Sequence, residues 1–338
     1  MTTPGVPADL LERFLAGQPL ALARAISLVE NQAPGFEALL DALHGRLGHA
    51  ARIGITGPPG AGKSTLTAAL ARRCRDAGEQ VGVIAVDPSS PFTGGALLGD
   101  RIRMDDLATE PGIFIRSMAS RGSHGGLSAT TREATDLMDA FGFDRILLET
   151  VGVGQSELEI ASQADSTVVV LVPESGDGIQ AMKAGLMEVA DLFVVNKSDR
   201  PGADRLRKEI RMVKHLREPA GDSGWEPPVL MTVASAGEGI EELETALREH
   251  AGHLAATGGL AERRHAAALE HTRMVLERTL VRRADAAWAQ ALAASGDPLA
   301  SGDSPYEVAR RIAAHACTLH GGDPAEGDGR AYIEPDRT

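Results

Sequence analysis

Two hydrophobic periods alternate along the chain. Residues 7–48 carry apolar positions three or four apart: Leu10, Leu11, Phe14 and Leu15, then Leu22, Ile26 and Val29, then Phe36, Leu39, Leu40, Leu43 and Leu47. That spacing puts each set on one face of a helix. Pro34 and Gly35 separate the last two sets. From Arg52 to about His250 the pattern changes. Short apolar runs at 52–56, 81–86, 113–116, 145–149, 167–172, 192–196 and 229–233 alternate with helical stretches. Several, such as Val81-Gly-Val-Ile-Ala-Val86, are apolar throughout, which predicts strands covered on both faces. Beyond Gly252 the helical period returns, with Leu269, Leu276, Leu280, Ala284, Trp288 and Leu292 at spacings of seven and four. This stripe fits a helix packed on its own domain or a dimer seam. The expected fold is α/β, a doubly wound and mostly parallel sheet. It carries an N-terminal helical extension (1–50), a nucleotide domain (51–250) and C-terminal helices (251–320). The Gly-, Asp- and Pro-rich tail, 321–338, is expected to be disordered.

Ligands on such sheets bind beyond the carboxyl ends of the strands, so residues at those ends carry the functional reading. After the run 52–56 come Gly57, Pro58, Pro59, Gly60, Ala61, Gly62, Lys63, Ser64 and Thr65, followed by a helix-forming run. Strand, G-x-x-x-x-G-K-[ST] loop and helix together form the context of a P-loop NTPase. Glycines let backbone N–H groups close around phosphate oxygens, and the new helix offers its free N–H groups and dipole to the same anion. Lys63 is placed for the β- and γ-phosphates, and the Ser64 hydroxyl for Mg²⁺.

Asn196, Lys197, Ser198 and Asp199 follow the run 192–196. The carboxylate of Asp199 only accepts hydrogen bonds. Guanine offers it two adjacent donors, N1–H and the 2-amine, and adenine offers neither, so the motif selects guanine. A plain turn with an Asn/Ser/Asp helix cap is the competing interpretation. The loop around Thr232-Val-Ala-Ser-Ala236, with Ala234 and Ser235, is placed to complete the base pocket.

Composition narrows the partners. Of 338 residues, 34 are basic and 47 acidic, a net charge of −13. With no basic tract, nucleic acid and anionic membrane are not expected partners. Cys74 and Cys317 are the only cysteines, so no zinc, redox or disulfide framework is expected. The start, Met1-Thr-Thr-Pro-Gly5, has no secretory pattern, and the expected location is cytoplasmic.

Asp87 and Asp100 flank a long Gly- and Ser-rich connection and are hard oxygen ligands suited to Mg²⁺ or its waters. The competing interpretation for each carboxylate is a helix cap or surface charge, and for Asp100 alone the two weigh equally. Glu149, ending the run 145–149, stands where P-loop enzymes place the acid of their second phosphate motif.

The P-loop together with Asp87-Pro-Ser-Ser90, Thr93-Gly-Gly95, Gly99-Asp100, Arg103-Met104, Glu149-Thr-Val-Gly-Val-Gly-Gln-Ser-Glu157, Gly176-Asp177, Gln180, Lys183 and Asn196-Lys-Ser-Asp199 resembles the MeaB/ArgK family. These are the methylmalonyl-CoA mutase-associated GTPases, related to the human cobalamin-disorder protein MMAA. The resemblance covers roughly residues 18–250. It implies a homodimeric GTPase with GTP/GDP and Mg²⁺ as ligands. Its implied role is to gate adenosylcobalamin loading and the removal of inactivated cofactor on a cobalamin-dependent acyl-CoA mutase. By the same resemblance Lys63 and Glu149 serve hydrolysis. Ser64, Asp87, Asp100 and Glu149 form the Mg²⁺ shell, and Asn196, Lys197 and Asp199 hold guanine. Gln180 and Lys183 belong to a switch that senses the mutase. One departure is Ala234, where relatives commonly have Ser. The rival readings are a metal-delivery GTPase of the same superclass, a P-loop kinase, and a nucleotide-dependent scaffold. The residues do not identify a general base.

Overall fold

The computed structural model describes residues 6–7, 9–88, 107, 109–120, 126–150, 160–173, 185–216, 224–299 and 302–318. Seven parallel strands form one sheet in the order β3-β2-β4-β1-β5-β6-β7. They are β1 (Ala51–Thr56), β2 (Val81–Pro88), β3 (Ile113–Ser120), β4 (Arg145–Thr150), β5 (Ser166–Leu171), β6 (Leu192–Asn196) and β7 (Val229–Thr232). Each coincides with a run that the sequence marks. β2 and β3 run further than their apolar cores, because main-chain pairing continues through Asp87↔Ala119 and Pro88↔Ser120. Asp87 is therefore the penultimate residue of β2 rather than the first residue after it.

The apolar runs are continuous because both faces are covered. In β5, Val168 and Val170 point into one core with Leu66 and Leu70 of α4 (Lys63–Asp76) and Leu243 and Leu247 from the later helix Ile240–Thr257. Val169 and Leu171, the alternate residues, enter a second core with Phe193, Val195 and Ile210. The N-terminal helices α1 (Leu10–Leu15), α2 (Pro19–Glu30) and α3 (Phe36–Leu43) pack on the opposite face from α4. Their Phe14, Leu22, Ile26 and Leu39 share one core with Leu137 and Met138 of α5 (Gly126–Phe141) and with Ile84, Ile146 and Leu148 of the sheet. Each such fully buried side chain contributes about 1.5–3 kcal/mol of burial free energy. The first three helices thus complete the sheet's own core.

Among the described residues the remaining α-helices are α6 (Leu186–Val189), α7 (Ala203–Leu216), α8 (Ile240–Thr257), α9 (Gly259–Ser295) and α10 (Pro305–Thr318). Among the described residues no helix is long and apolar enough to cross a membrane. The chain divides into two compact units, Met1–His271 and Thr272–Thr338. In the second unit Ser304 and Glu307 cap α10 reciprocally: Glu307 N donates to Ser304 Oγ at 3.2 Å, and Ser304 N to Glu307 Oε2 at 3.0 Å.

At the amino ends of the central strands, the first turns of α9 are tied down by charge. Arg263 forks onto Asp191 with two 2.8 Å bonds, and Arg264 onto Asp165 at 2.7 and 2.9 Å. His250 is fully buried, with Nδ1 2.7 Å from Ser166 Oγ and Nε2 3.3 Å from Asp191 Oδ1. Burial by itself pushes the Asp191 carboxyl up, but the adjacent His250 ring and the hydrogen-bonded Arg263 guanidinium outweigh it and hold the group below the ordinary aspartate value.

Candidate functional site

The site forms at the carboxyl edge, where β1 lies between β4 and β5. The chain leaves β1 through Gly57 at φ +140°, and a Cβ there would stand 2.1 Å from the carbonyl oxygen of Val170. Only glycine permits this close passage over β5. Gly62, at φ +86°, makes the turn into α4, and a Cβ there would meet the Asn196 carboxamide nitrogen at 2.5 Å. Lys63 is buried, and its ammonium donates to the carbonyls of Gly57 (2.7 Å) and Pro58 (3.0 Å). The cation therefore lies across the mouth of the loop. Pro59, Gly60 and Thr65 are exposed, and Ala61 is buried.

At the second residue of α4, Ser64 Oγ donates to Glu149 Oε1 at 2.5 Å. Glu149 is buried near the end of β4. A hydroxyl and a carboxylate, both hard oxygen donors, thus meet beside the phosphate loop. This donor set fits Mg²⁺, which takes one or two protein oxygens and fills its octahedron with water and phosphate. Asp87 is placed at the same edge by its backbone, and its side chain lies outside the described residues. Asp100, Gln180 and Lys183 also lie outside them, as does the tail 321–338.

The turn that opens with Asn196 is fastened to the P-loop. Asn196 Nδ2 donates to Ala61 O at 2.8 Å, and its Oδ1 accepts from Thr232 Oγ1 and Ala234 N, both at 3.1 Å. Lys197 takes a left-handed φ of +55° and reaches over the loop to Gly60 O at 2.8 Å. Asp199 and Ser235 are exposed. The loop 233–238 is pinched by reciprocal bonds between Val233 and Glu238, at 3.1 and 3.3 Å. Ala234 contributes its main-chain N–H, so the departure from Ser at that position costs the loop no bond seen here. The sequence places Thr232 at the start of this loop but gives its hydroxyl no role of its own. The available signal is a Thr at the last position of a strand that precedes the base loop.

The structure thus brings Lys63, Ser64, Glu149, Asn196, Lys197 and Ala234 together around one loop. Residues 22–289 match the family model described as methylmalonyl Co-A mutase-associated GTPase MeaB. GTPase ArgK of Escherichia coli is 40% identical over 280 residues, covering 80% of this chain and 83% of that protein. The mouse methylmalonic aciduria type A homolog, mitochondrial, is 39% identical over 269 residues, covering 74% and 64%. The crystal structure of an LAO/AO transport system kinase superposes with a TM-score of 0.68 at 33% identity, covering 92% of this chain and 97% of that one. With its P-loop in place and most of its length matched, the chain is a GTPase and belongs to the methylmalonyl-CoA mutase-associated MeaB family.

Proposed function

We propose that this GTPase serves a cobalamin-dependent acyl-CoA mutase, coupling its nucleotide state to loading of adenosylcobalamin and removal of inactivated cofactor. Membership of a mutase-associated family is the observation that carries this reading. Within the site, Lys63 binds and neutralises the β- and γ-phosphates, and the P-loop amides orient them. Ser64 and Glu149, with Asp87 and Asp100, would hold Mg²⁺, which when bound neutralises charge on the phosphate oxygens. Asp199 accepts from the guanine N1–H and 2-amine, and the base loop at Ala234 and Ser235 closes over the ring. Guanine nucleotides then bind at least about tenfold tighter than adenine nucleotides, since an unpaired buried polar group costs on that order. Asp199→Asn shifts preference toward xanthine nucleotides, measured by calorimetry.

The apolar stripe on α9 supports a homodimer. Leu269, Leu276, Leu280 and Trp288 are 60%, 57%, 53% and 46% exposed in the single chain, more apolar surface on one helix than a monomer usually leaves to water. A cytoplasmic location is part of the same reading.

The deciding experiment is GTP turnover with and without purified methylmalonyl-CoA mutase, on wild-type protein and on Lys183→Ala. Stimulation of the wild type, and its loss in Lys183→Ala at unchanged basal rate, supports the mutase role and the switch assignment of Gln180 and Lys183. Absence of both stimulation and co-elution rejects the mutase role and leaves the GTPase intact. Likeness to a solved protein described as a kinase favours a second reading, phosphotransfer to a protein or small molecule. Labelled γ-phosphate appearing only as inorganic phosphate rejects it.

A further inference from the structure

Asn196 is the joint between the base-binding turn and the phosphate loop, and its grip depends on which way its carboxamide faces. We infer that Thr232 is a positioning residue for guanine-nucleotide binding: its hydroxyl fixes the Asn196 carboxamide so that the base turn and the phosphate loop act as one body. This rests on the guanine site proposed above.

Thr232 ends β7 and pairs in register with Asn196 at the end of β6. Neighbours in a ladder present their side chains to the same face, so the two polar groups meet. Thr232 is completely buried. A Cβ on Gly239 would stand 3.1 Å from Thr232 Cγ2, so the methyl group faces Gly239 and the hydroxyl is left to Asn196. Two donors, Thr232 Oγ1–H and Ala234 N–H, converge on Oδ1. They identify that atom as the oxygen and turn the amide nitrogen toward Ala61 O. A flipped carboxamide would set donor against donor at one end and oxygen against carbonyl at the other.

The main chain of Thr232 acts on the same turn. Its carbonyl accepts from Ser198 N at 3.0 Å, between Lys197, which reaches Gly60 O, and Asp199. Asn196 and Lys197 therefore deliver two adjacent side chains to two adjacent P-loop carbonyls, at Ala61 and Gly60. Thr232 is the residue that braces both. Its effect falls on affinity rather than on the hydrolytic step, because it touches neither Lys63 nor the Ser64–Glu149 pair in any bond seen here.

The test compares wild type, Thr232→Val and Thr232→Ser by calorimetry with GDP and GTP, by GTP turnover and by thermal unfolding. Removing one buried hydroxyl bond predicts that Thr232→Val weakens GDP and GTP alike by about fivefold. KM rises by the same factor, kcat stays within about twofold, and Thr232→Ser recovers wild-type affinity. If Thr232→Val does not fold, Thr232→Ala carries the same comparison. A valine variant with a lowered Tm but wild-type affinity, or a serine variant as weak as valine, overturns the inference while the guanine site stands. Failure of the wild type itself to bind GDP or GTP overturns both.

Discussion

The hydroxyl of Ser64 and the carboxylate of Glu149 meet at 2.5 Å although 85 residues separate them in sequence. One is the second residue of the helix after β1 and the other the penultimate residue of the neighbouring strand β4, so strand order alone makes them adjacent. Glu149→Gln keeps the shape and removes the charge. It is expected to raise the Mg²⁺ concentration for half-maximal GTP turnover about tenfold, the effect of losing one anionic oxygen near the ion. GDP affinity in EDTA should stay within about twofold. An unchanged Mg²⁺ dependence would remove Glu149 from the metal site.

Gly57 and Gly60 both sit in the loop at positive φ, but their surroundings differ. Gly57→Ala forces a Cβ to 2.1 Å from Val170 O, whereas nothing lies within 4 Å of a Cβ at Gly60. The second substitution therefore costs only left-handed strain, about 1–2 kcal/mol. The first adds a backbone clash and should cost at least about 3 kcal/mol. Urea unfolding of the two variants checks the order, and equal losses would contradict it.

The Asp191 carboxyl is held below its ordinary value, burial notwithstanding, by His250 and Arg263. A depressed folded value means that its stabilisation is present at pH above the ordinary aspartate value, about 4. It is lost as pH falls through the lower folded value. Arg263→Met removes the forked partner, so acid unfolding should begin at higher pH, with neutral stability reduced by about 2 kcal/mol. Superimposable acid-unfolding curves for variant and wild type would refute the assignment.

Cys74 lies in α4, where burial pushes its thiol up to about 12. With Cys317→Ala as background, dithionitrobenzoate at pH 8 should label Cys74 only as fast as the protein unfolds, since the thiolate is the reactive form. Rapid stoichiometric labelling of the folded protein would show the site to be open.

The strands were legible because parallel strands buried on both faces leave unbroken apolar runs, as in Val81–Val86 and Thr167–Val172. The Lys63 loop was legible because few residues satisfy its backbone. Less could be read of Asn196. Its motif marked a base site, but its hold on Ala61, Thr232 and Ala234 is made by three loops distant in sequence, and spacing does not encode it. The stripe on α9 showed its period but not its environment, since a helix repeats in the same way whether it faces core, partner or water. Arg263 and Arg264 gave no signal, because adjacent arginines on a helix are ordinarily solvated.

β6 is held at both ends. Asp191, just before it, receives Arg263, His250 and Thr167 N. Asn196, its last residue, is joined to Ala61, Thr232 and Ala234, and all five strand residues are buried. Amide protons of this strand are then expected to exchange with solvent only through an opening that releases these clamps. Two-ended fastening of this kind joins the stem of α9 to the P-loop through β6, so a nucleotide that slows exchange at Val194 is expected to slow it also at the main-chain amides around Arg263, at the opposite end of the strand.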